Sequence, residues 1–223
     1  MQFIEYADRE MAAMGLADRL SGSLGKHLMN RDAVSLAVPG GTTPAPVFDA
    51  LSAVDLEWER VTVMLTDERW VPTGSDRSNA SLIRAHLLQS RAARARFIAF
   101  YQEGLAAEAA AVHLSKELEA HLPLSLVLLG MGADMHTASL FPGAKGLAAA
   151  LARDAPAVCA IETETQPEPR VTLSARVLNA AIEKHLVIFG ADKREAFEAA
   201  AGLDPTVAPI NAVIEGGFVH WAP

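Results

Sequence analysis

Asp134 and His136 stand two residues apart on a glycine-hinged segment, Gly130-Met131-Gly132-Ala133-Asp134-Met135-His136, that directly follows the apolar run 126–129. A short apolar run of this kind suits a fully buried strand, and glycines just after it permit a sharp turn with close backbone approach to a ligand. The acid and the imidazole then sit at a strand's carboxyl end. In open α/β sheets that edge is where ligands bind, and histidine is the side chain whose ordinary pKa suits proton transfer near neutrality. Ser139, three residues further on, reads as part of a following helix start rather than as a nucleophile, because the sequence has no Gly-Xaa-Ser-Xaa-Gly elbow.

Four further segments place polar groups beside a strand or a helix start. Val38-Pro39-Gly40-Gly41-Thr42-Thr43-Pro44 joins strand to helix, and Gly40, Gly41, Thr42 and Thr43 offer free amides and hydroxyls suited to a phosphate. A plain tight turn explains the same residues equally well, since the P-loop lysine and the dinucleotide spacing are both missing. Thr66-Asp67-Glu68-Arg69-Trp70-Val71-Pro72 puts three charges directly after an apolar run. Charges are costly to bury unpaired, so Asp67, Glu68 and Arg69 are expected at a mouth or on the surface, with Ser78 beyond them as a helix cap. Arg170 precedes 171–173 and Lys193 follows Phe189-Gly190-Ala191-Asp192, positions where a surface cation is the ordinary outcome. The seven histidines show no His-Glu-Xaa-Xaa-His pattern or paired Cys-His set, so no metal is expected and most are read as surface or capping residues.

The elements that must position these residues alternate along the chain. Strand-like runs fall at 34–38, 61–66, 97–100, 124–129, 158–161, 171–173 and 185–189, with a closing strand at 218–221. Helical patterns lie between them, from a helix capped by Asp8 and running to about Asn30, through 46–52, 78–88, 105–121 and 175–181, to 193–201. That alternation predicts an α/β fold, a layered sheet with helices on its faces. Met11, Met14, Leu20, Leu24 and Leu28 form the expected apolar stripe of the first helix. The alanine-rich tracts 106–111 and 147–152 read as helix formers, and 163–169, rich in Glu and Pro, as an exposed loop able to close as a flap. No repeat, linker or boundary interrupts 1–223, which reads as one domain.

Composition narrows the functional classes. With 51% hydrophobic and 21% charged residues the chain can bury a large core, which excludes disorder as its main state. No apolar run approaches the roughly 18 residues that span a bilayer, and no secretory signal is visible, so the cytoplasm is the default location and no membrane partner is expected. The single cysteine, Cys159, cannot form an internal disulfide and reads as core filling. A net charge of -8 argues against nucleic-acid binding, so an anionic substrate must be caught by a local basic cluster.

Taken in order, Pro39-Gly40-Gly41-Thr42-Thr43-Pro44, Asp67-Glu68-Arg69-Trp70-Val71-Pro72 with Ser78-Asn79, Gly130 to Pro142, Arg170-Val171-Thr172-Leu173 and Gly190 with Lys193 make the chain resemble the 6-phosphogluconolactonases. The resemblance runs through nearly the whole chain. It implies the fold shared with glucosamine-6-phosphate deaminase and ribose-5-phosphate isomerase, a mainly parallel, Rossmann-like sheet covered by helices with a smaller appended sheet. It also implies hydrolysis of 6-phospho-D-glucono-1,5-lactone in the oxidative pentose phosphate pathway, without a cofactor, and leaves the oligomeric state open between a monomer and a weak dimer. One position departs from the pattern: the family usually has glycine between the Asp and the His, where this chain has Met135. If that residue has positive φ, methionine there costs about 1 kcal/mol or more.

On this resemblance His136 is the general base that activates water. Asp134 orients it or holds the water, and Asp67 is a second candidate for that orienting role. Arg69 meets either the lactone oxygen or the phosphate, and Gly40, Gly41, Thr42, Thr43, Arg170 and Lys193 grip the phosphate. The rival readings are an amino-sugar phosphate deaminase or isomerase on the same fold and a sugar-phosphate sensor without catalysis. Such deaminases carry a further acid after the histidine, and Thr137-Ala138-Ser139-Leu140-Phe141 offers none.

Overall fold

The computed structural model describes residues 1–164 and 166–223. The chain runs through β1 (Gln2–Glu5), α1 (Arg9–Leu28), β2 (Val34–Val38), α2 (Ala45–Ser52), β3 (Val61–Leu65), β4 (Asp67–Arg69), α3 (Asn79–His86), β5 (Arg96–Ile98) and α4 (Ala107–Leu118). It continues through β6 (Leu126–Leu129), α5 (Leu147–Leu151), β7 (Val158–Ile161), β8 (Arg170–Leu173), α6 (Ala175–Asn179), β9 (Glu183–Phe189), α7 (Ala191–Ala199) and β10 (Phe218–Ala222). Seven strands form a parallel sheet in the order β1-β10-β9-β6-β2-β3-β5. A second, antiparallel sheet has the order β4-β8-β7. This is the expected α/β architecture with its smaller appended sheet.

A parallel sheet covered by helices on both faces requires central strands that are apolar throughout rather than alternating. β2, β3 and β6 meet that requirement, being buried at every residue. Asp8 caps α1 as expected, its Oδ1 accepting from the Met11 N–H at 2.8 Å. The stripe that α1 buries is Leu16, Leu20, Leu24 and Leu28 with Ala13 and Ala17. Met11 and Met14, expected on that stripe, are instead 55% and 59% exposed. Small alanines let the helix lie close to its neighbours, so here they mark the packed face better than the first two methionines do.

Two strands fall outside the sequence expectations. β1 lies at the sheet edge and is held by parallel backbone pairing to β10, so it needs no apolar pattern of its own. β4 consists of Asp67, Glu68 and Arg69 and pairs with β8, a partner more than 100 residues away in sequence. Residue Thr165 of the expected flap at 163–169 lies outside the described residues. Cys159 is buried in β7, where loss of solvent pushes its thiol up to about 11. No helix among the described residues is long and apolar enough to cross a membrane.

β9, β6, β2 and β3 are neighbours and deliver their carboxyl ends to one edge of the sheet. The chain proceeds from β2 to β3 on one side and from β6 to β9 on the other, so the strand order reverses between β2 and β6. Such a reversal leaves a crevice above the strand ends.

Candidate active site

Above that reversal lies a cavity of about 350 Å³. Loops after β2, β3, β6 and β9 wall it, and β8 of the small sheet closes one side. Of the residues expected at the site, Gly40, Gly41, Thr43, Asp67, Arg69, His136, Arg170 and Lys193 line it. Asp134 touches it only through His136, and Thr42 is exposed outside the lining. Thr42, expected in the cradle, follows the turn at Gly41 (φ +86°) and is the one cradle residue of that loop that is exposed.

His136 Nδ1 lies 2.5 Å from Asp134 Oδ1. The imidazole bond holds the Asp134 carboxyl below the usual carboxylate range, against the opposing effect of partial burial. An ionised Asp134 fixes the proton on Nδ1 and leaves the Nε2 lone pair as the base. The ring also packs on Phe141, with centroids 4.4 Å apart. The loop that presents the pair is tightly made. Gly132 N–H donates to the His136 carbonyl at 2.9 Å, Met135 N–H to the Gly132 carbonyl at 3.0 Å, and Thr137 Oγ1 to the Gly130 carbonyl at 2.8 Å. A Cβ on Gly132 would fall 2.2 Å from His136 Nδ1 and 2.3 Å from Asp134 Oδ1, so only glycine fits beside the pair.

The departure at Met135 now has a physical reading, because its φ is +65°. This is the left-handed region, and methionine accepts a penalty of about 1 kcal/mol there. The conformation is held by the bond to Gly132, by Ile210 N–H donating to the Met135 carbonyl at 3.2 Å, and by packing of the side chain against the core.

The charged block after β3 divides in a way its composition does not reveal. Asp67 and Arg69 line the cavity, whereas Glu68, expected at a mouth or on the surface, is fully buried. Burial raises its carboxyl pKa, and bonds oppose that rise: Asn79 N–H at 2.7 Å, Ala80 N–H at 2.8 Å, Arg69 N–H at 2.8 Å and Ser78 Oγ at 3.1 Å all donate to it. The carboxylate satisfies the amino end of α3, where free N–H groups favour an anion. Ser78 is the expected cap as well, accepting from Ser81 N–H.

Asp67 does not bond to His136. Its carboxylate accepts from Ser139 Oγ at 2.6 Å and from Thr66 Oγ1 at 3.1 Å, so the second orienting candidate for the imidazole serves another group. Ser139 itself lies in a buried turn rather than at a helix start, which corrects that expectation. The turn is made possible by Ala138 at φ +48°.

Three cations face the cavity. Arg69 gives one N–H to the Arg77 carbonyl at 2.8 Å, and Arg170 gives one to Gln166 Oε1 at 2.5 Å, but the Nε of each is buried without a partner. Burial lowers the Arg170 pKa and Asp67 partly counters it, yet a guanidinium stays charged throughout the ordinary pH range. Lys193, in the first turn of α7, makes no hydrogen bond or ion pair among the described residues. Gly40 packs so close to Asn79 that a Cβ would fall 1.8 Å from Asn79 Oδ1. Asn79, Phe141 and Gln166 are lining residues to which sequence reasoning assigned no role; Asn79 was legible only as part of the Ser78-Asn79 pair.

The expectation of surface or capping positions covers most of the histidines but not His185 and His220, which are fully buried. Tyr6 OH contacts His220 Nδ1 at 2.9 Å, His220 Nε2 contacts His185 Nδ1 at 3.0 Å, and His185 Nε2 contacts Glu183 Oε1 at 2.8 Å. Two neutral imidazoles satisfy every link, each accepting at Nδ1 and donating from Nε2.

A family model described as glucosamine-6-phosphate isomerases/6-phosphogluconolactonase matches residues 7–221. A 6-phosphogluconolactonase of Mesorhizobium japonicum is 42% identical over 98% of this chain and 94% of its own length. One from Pseudomonas aeruginosa is 40% identical over 95% and 90%. Among solved structures, a 6-phosphogluconolactonase from Shewanella baltica superposes with a TM-score of 0.95 at 32% identity, covering 100% of this chain and 98% of that one. One from Thermotoga maritima gives 0.84 at 26% identity, covering 99% and 98%.

Proposed function

We propose, since the chain belongs to the glucosamine-6-phosphate isomerase/6-phosphogluconolactonase family, that its cavity hydrolyses 6-phospho-D-glucono-1,5-lactone to 6-phospho-D-gluconate in the oxidative pentose phosphate pathway. The observation that carries the reading is one cavity holding both the His136 imidazole, backed by Asp134, and three cations, Arg69, Arg170 and Lys193. His136 Nε2 takes a proton from water as the water oxygen adds to the lactone carbonyl carbon. The resulting oxyanion collapses, the bond from that carbon to the ring oxygen breaks, and the imidazolium returns its proton to the departing oxygen. A positioned base of this kind contributes about 10²–10⁴ in rate.

The phosphate lies against Gly40, Gly41 and Thr43 with Arg170 and Lys193, because a dianion is best met by fixed amides plus charge-assisted donors. Its binding energy holds the ester against the base. Arg69, whose Nε is unpartnered, faces the lactone end and stabilises the developing oxyanion. Asp67, whose carboxylate accepts from Ser139 and Thr66, leaves the orienting of His136 to Asp134. The protein works in the cytoplasm, a reading supported by its single cysteine, which suits a reducing compartment.

The segment after His136 supports hydrolysis over deamination, since Thr137, Ser139 and Leu140 are buried there and none is an acid. The deciding assay generates the lactone enzymatically and follows acid release, with glucosamine-6-phosphate in a parallel reaction. Acceleration above spontaneous hydrolysis and no ammonia are expected. His136→Ala lowers kcat by about 10² or more with little change in KM, whereas a sensor without catalysis would give no turnover to lose.

A further inference from the structure

Asp67 and Arg170 are opposite charges, 6% and 4% exposed, on the wall of one cavity, and their attraction reaches across it. Among the described residues no ion pair joins them. The carboxylate is engaged by two neutral hydroxyls instead, Ser139 Oγ at 2.6 Å and Thr66 Oγ1 at 3.1 Å. Arg170 keeps a buried Nε without a partner. Both hydroxyl bonds are charge-assisted, and Ser139 is the donor to Oδ2, so without its hydroxyl that buried oxygen would lack a donor and be drawn onto the guanidinium.

Ser139 is well placed to prevent that closure. It is fully buried, its N–H donates to Thr172 Oγ1 at 3.3 Å, and Thr172 is the register partner of Asp67 across β4 and β8. Its own backbone is thus anchored to the sheet that carries both charges. We infer that Ser139 is a positioning residue of the anion site: by engaging Asp67 Oδ2 it keeps the carboxylate from pairing with Arg170 and leaves the guanidinium free for the substrate's phosphoryl group. The assignment rests on the lactonase reading for the identity of that group, and on the geometry alone for the need to keep Arg170 open.

Calorimetric affinity for inorganic phosphate tests it. In Ser139→Ala the Asp67 carboxylate turns to Arg170, and phosphate binding weakens about tenfold, the size of one charge-assisted bond. KM for the lactone rises by a similar factor while kcat at saturation stays near wild type, and Ser139→Thr, which keeps the hydroxyl, restores binding. In Asp67→Asn the competing anion is gone, so phosphate binds at least as tightly as to wild type and adding Ser139→Ala changes nothing further. A merely structural serine would give the same loss in both backgrounds, because independent effects add. The inference is overturned if Ser139→Ala binds phosphate within about twofold of wild type, or if its loss persists on the Asp67→Asn background. Should the single variant fail to fold, the comparison of Asp67→Asn with the double variant decides: equal affinities support the role and unequal ones reject it. Lactone hydrolysis by the wild type is a separate arm, whose absence would remove the lactonase reading while the phosphate affinities still judged Ser139.

Discussion

Gly132→Ala is a single-methyl probe of the catalytic pair. The added Cβ would fall 2.2 Å from His136 Nδ1 and 2.3 Å from Asp134 Oδ1, where ordinary contact needs more than 3.4 Å. Something must move by about 1 Å, and the 2.5 Å bond between the imidazole and the carboxylate is the first thing in the way. Gly132 is not among the positive-φ glycines, so alanine meets no backbone penalty there and the effect is confined to the pair. A displacement of about 1 Å costs on the order of 10² in rate, and losing a well-oriented base costs up to about 10⁴, so kcat should fall between those limits. The phosphate cations stand on β8 and α7, away from the methyl, so KM should change by less than about threefold. The measurement is steady-state hydrolysis of freshly generated lactone, corrected for the spontaneous reaction, with circular dichroism to verify folding. A folded variant retaining kcat within about threefold of wild type would refute the argument that the pair performs the chemistry.

Other outcomes follow from the same geometry. Lys193→Ala should raise KM for the lactone by about tenfold or more with kcat nearly unchanged, and because the side chain makes no hydrogen bond or ion pair among the described residues it should alter stability by less than about 0.5 kcal/mol; equal turnover of a lactone lacking phosphate would reject its assignment to the phosphate. His220 is held down to about 3 by burial and by the neighbouring His185, so it stays neutral in the folded chain while its unfolded form titrates near 6.5. The unfolded state therefore binds more protons between those values, and stability that is full above about pH 6.5 is lost as pH falls toward 3, at up to about 1.4 kcal/mol per pH unit. Melting temperatures across that window should slope downward with acid, and His220→Gln should flatten the slope; an unchanged slope would show that other groups govern it. Burial raises the Cys159 thiol to about 11, so native protein at neutral pH should resist iodoacetamide and react only once unfolded.

Much of this site was legible because it is carried by short contiguous segments. Gly130 to His136 announced a turn, an acid and a base in seven residues, and the structure holds a hydrogen-bonded pair there. The residues that complete the arrangement were less legible. Ser139 looked like the beginning of a helix, since a serine after a loop usually is, and nothing local shows that Ala138 adopts φ +48° and turns it toward a strand 72 residues earlier. Glu68 looked like a surface charge because its four donors lie one residue on and ten to twelve residues on, at the start of a helix not yet folded against it. Met135 could be noticed as a departure, but its φ had to be seen before a penalty could be assigned.

Periodicity and apolar runs along the chain determined the alternation of strands and helices, and the order of the polar segments determined the family and hence the chemistry. Those properties are local: a buried strand needs a continuous apolar run and a helix needs its stripe, whatever lies elsewhere. Pairings across long sequence separations were decided only by tertiary structure. It selected Asp134 rather than Asp67 to hold the imidazole and buried Glu68 against α3, and it joined His185 to His220. It also sent Asp67 to Ser139 instead of Arg170. The reason is that a buried polar group is worth what its partner makes it, and the partner's position is a property of the packed sheet rather than of the neighbouring residues.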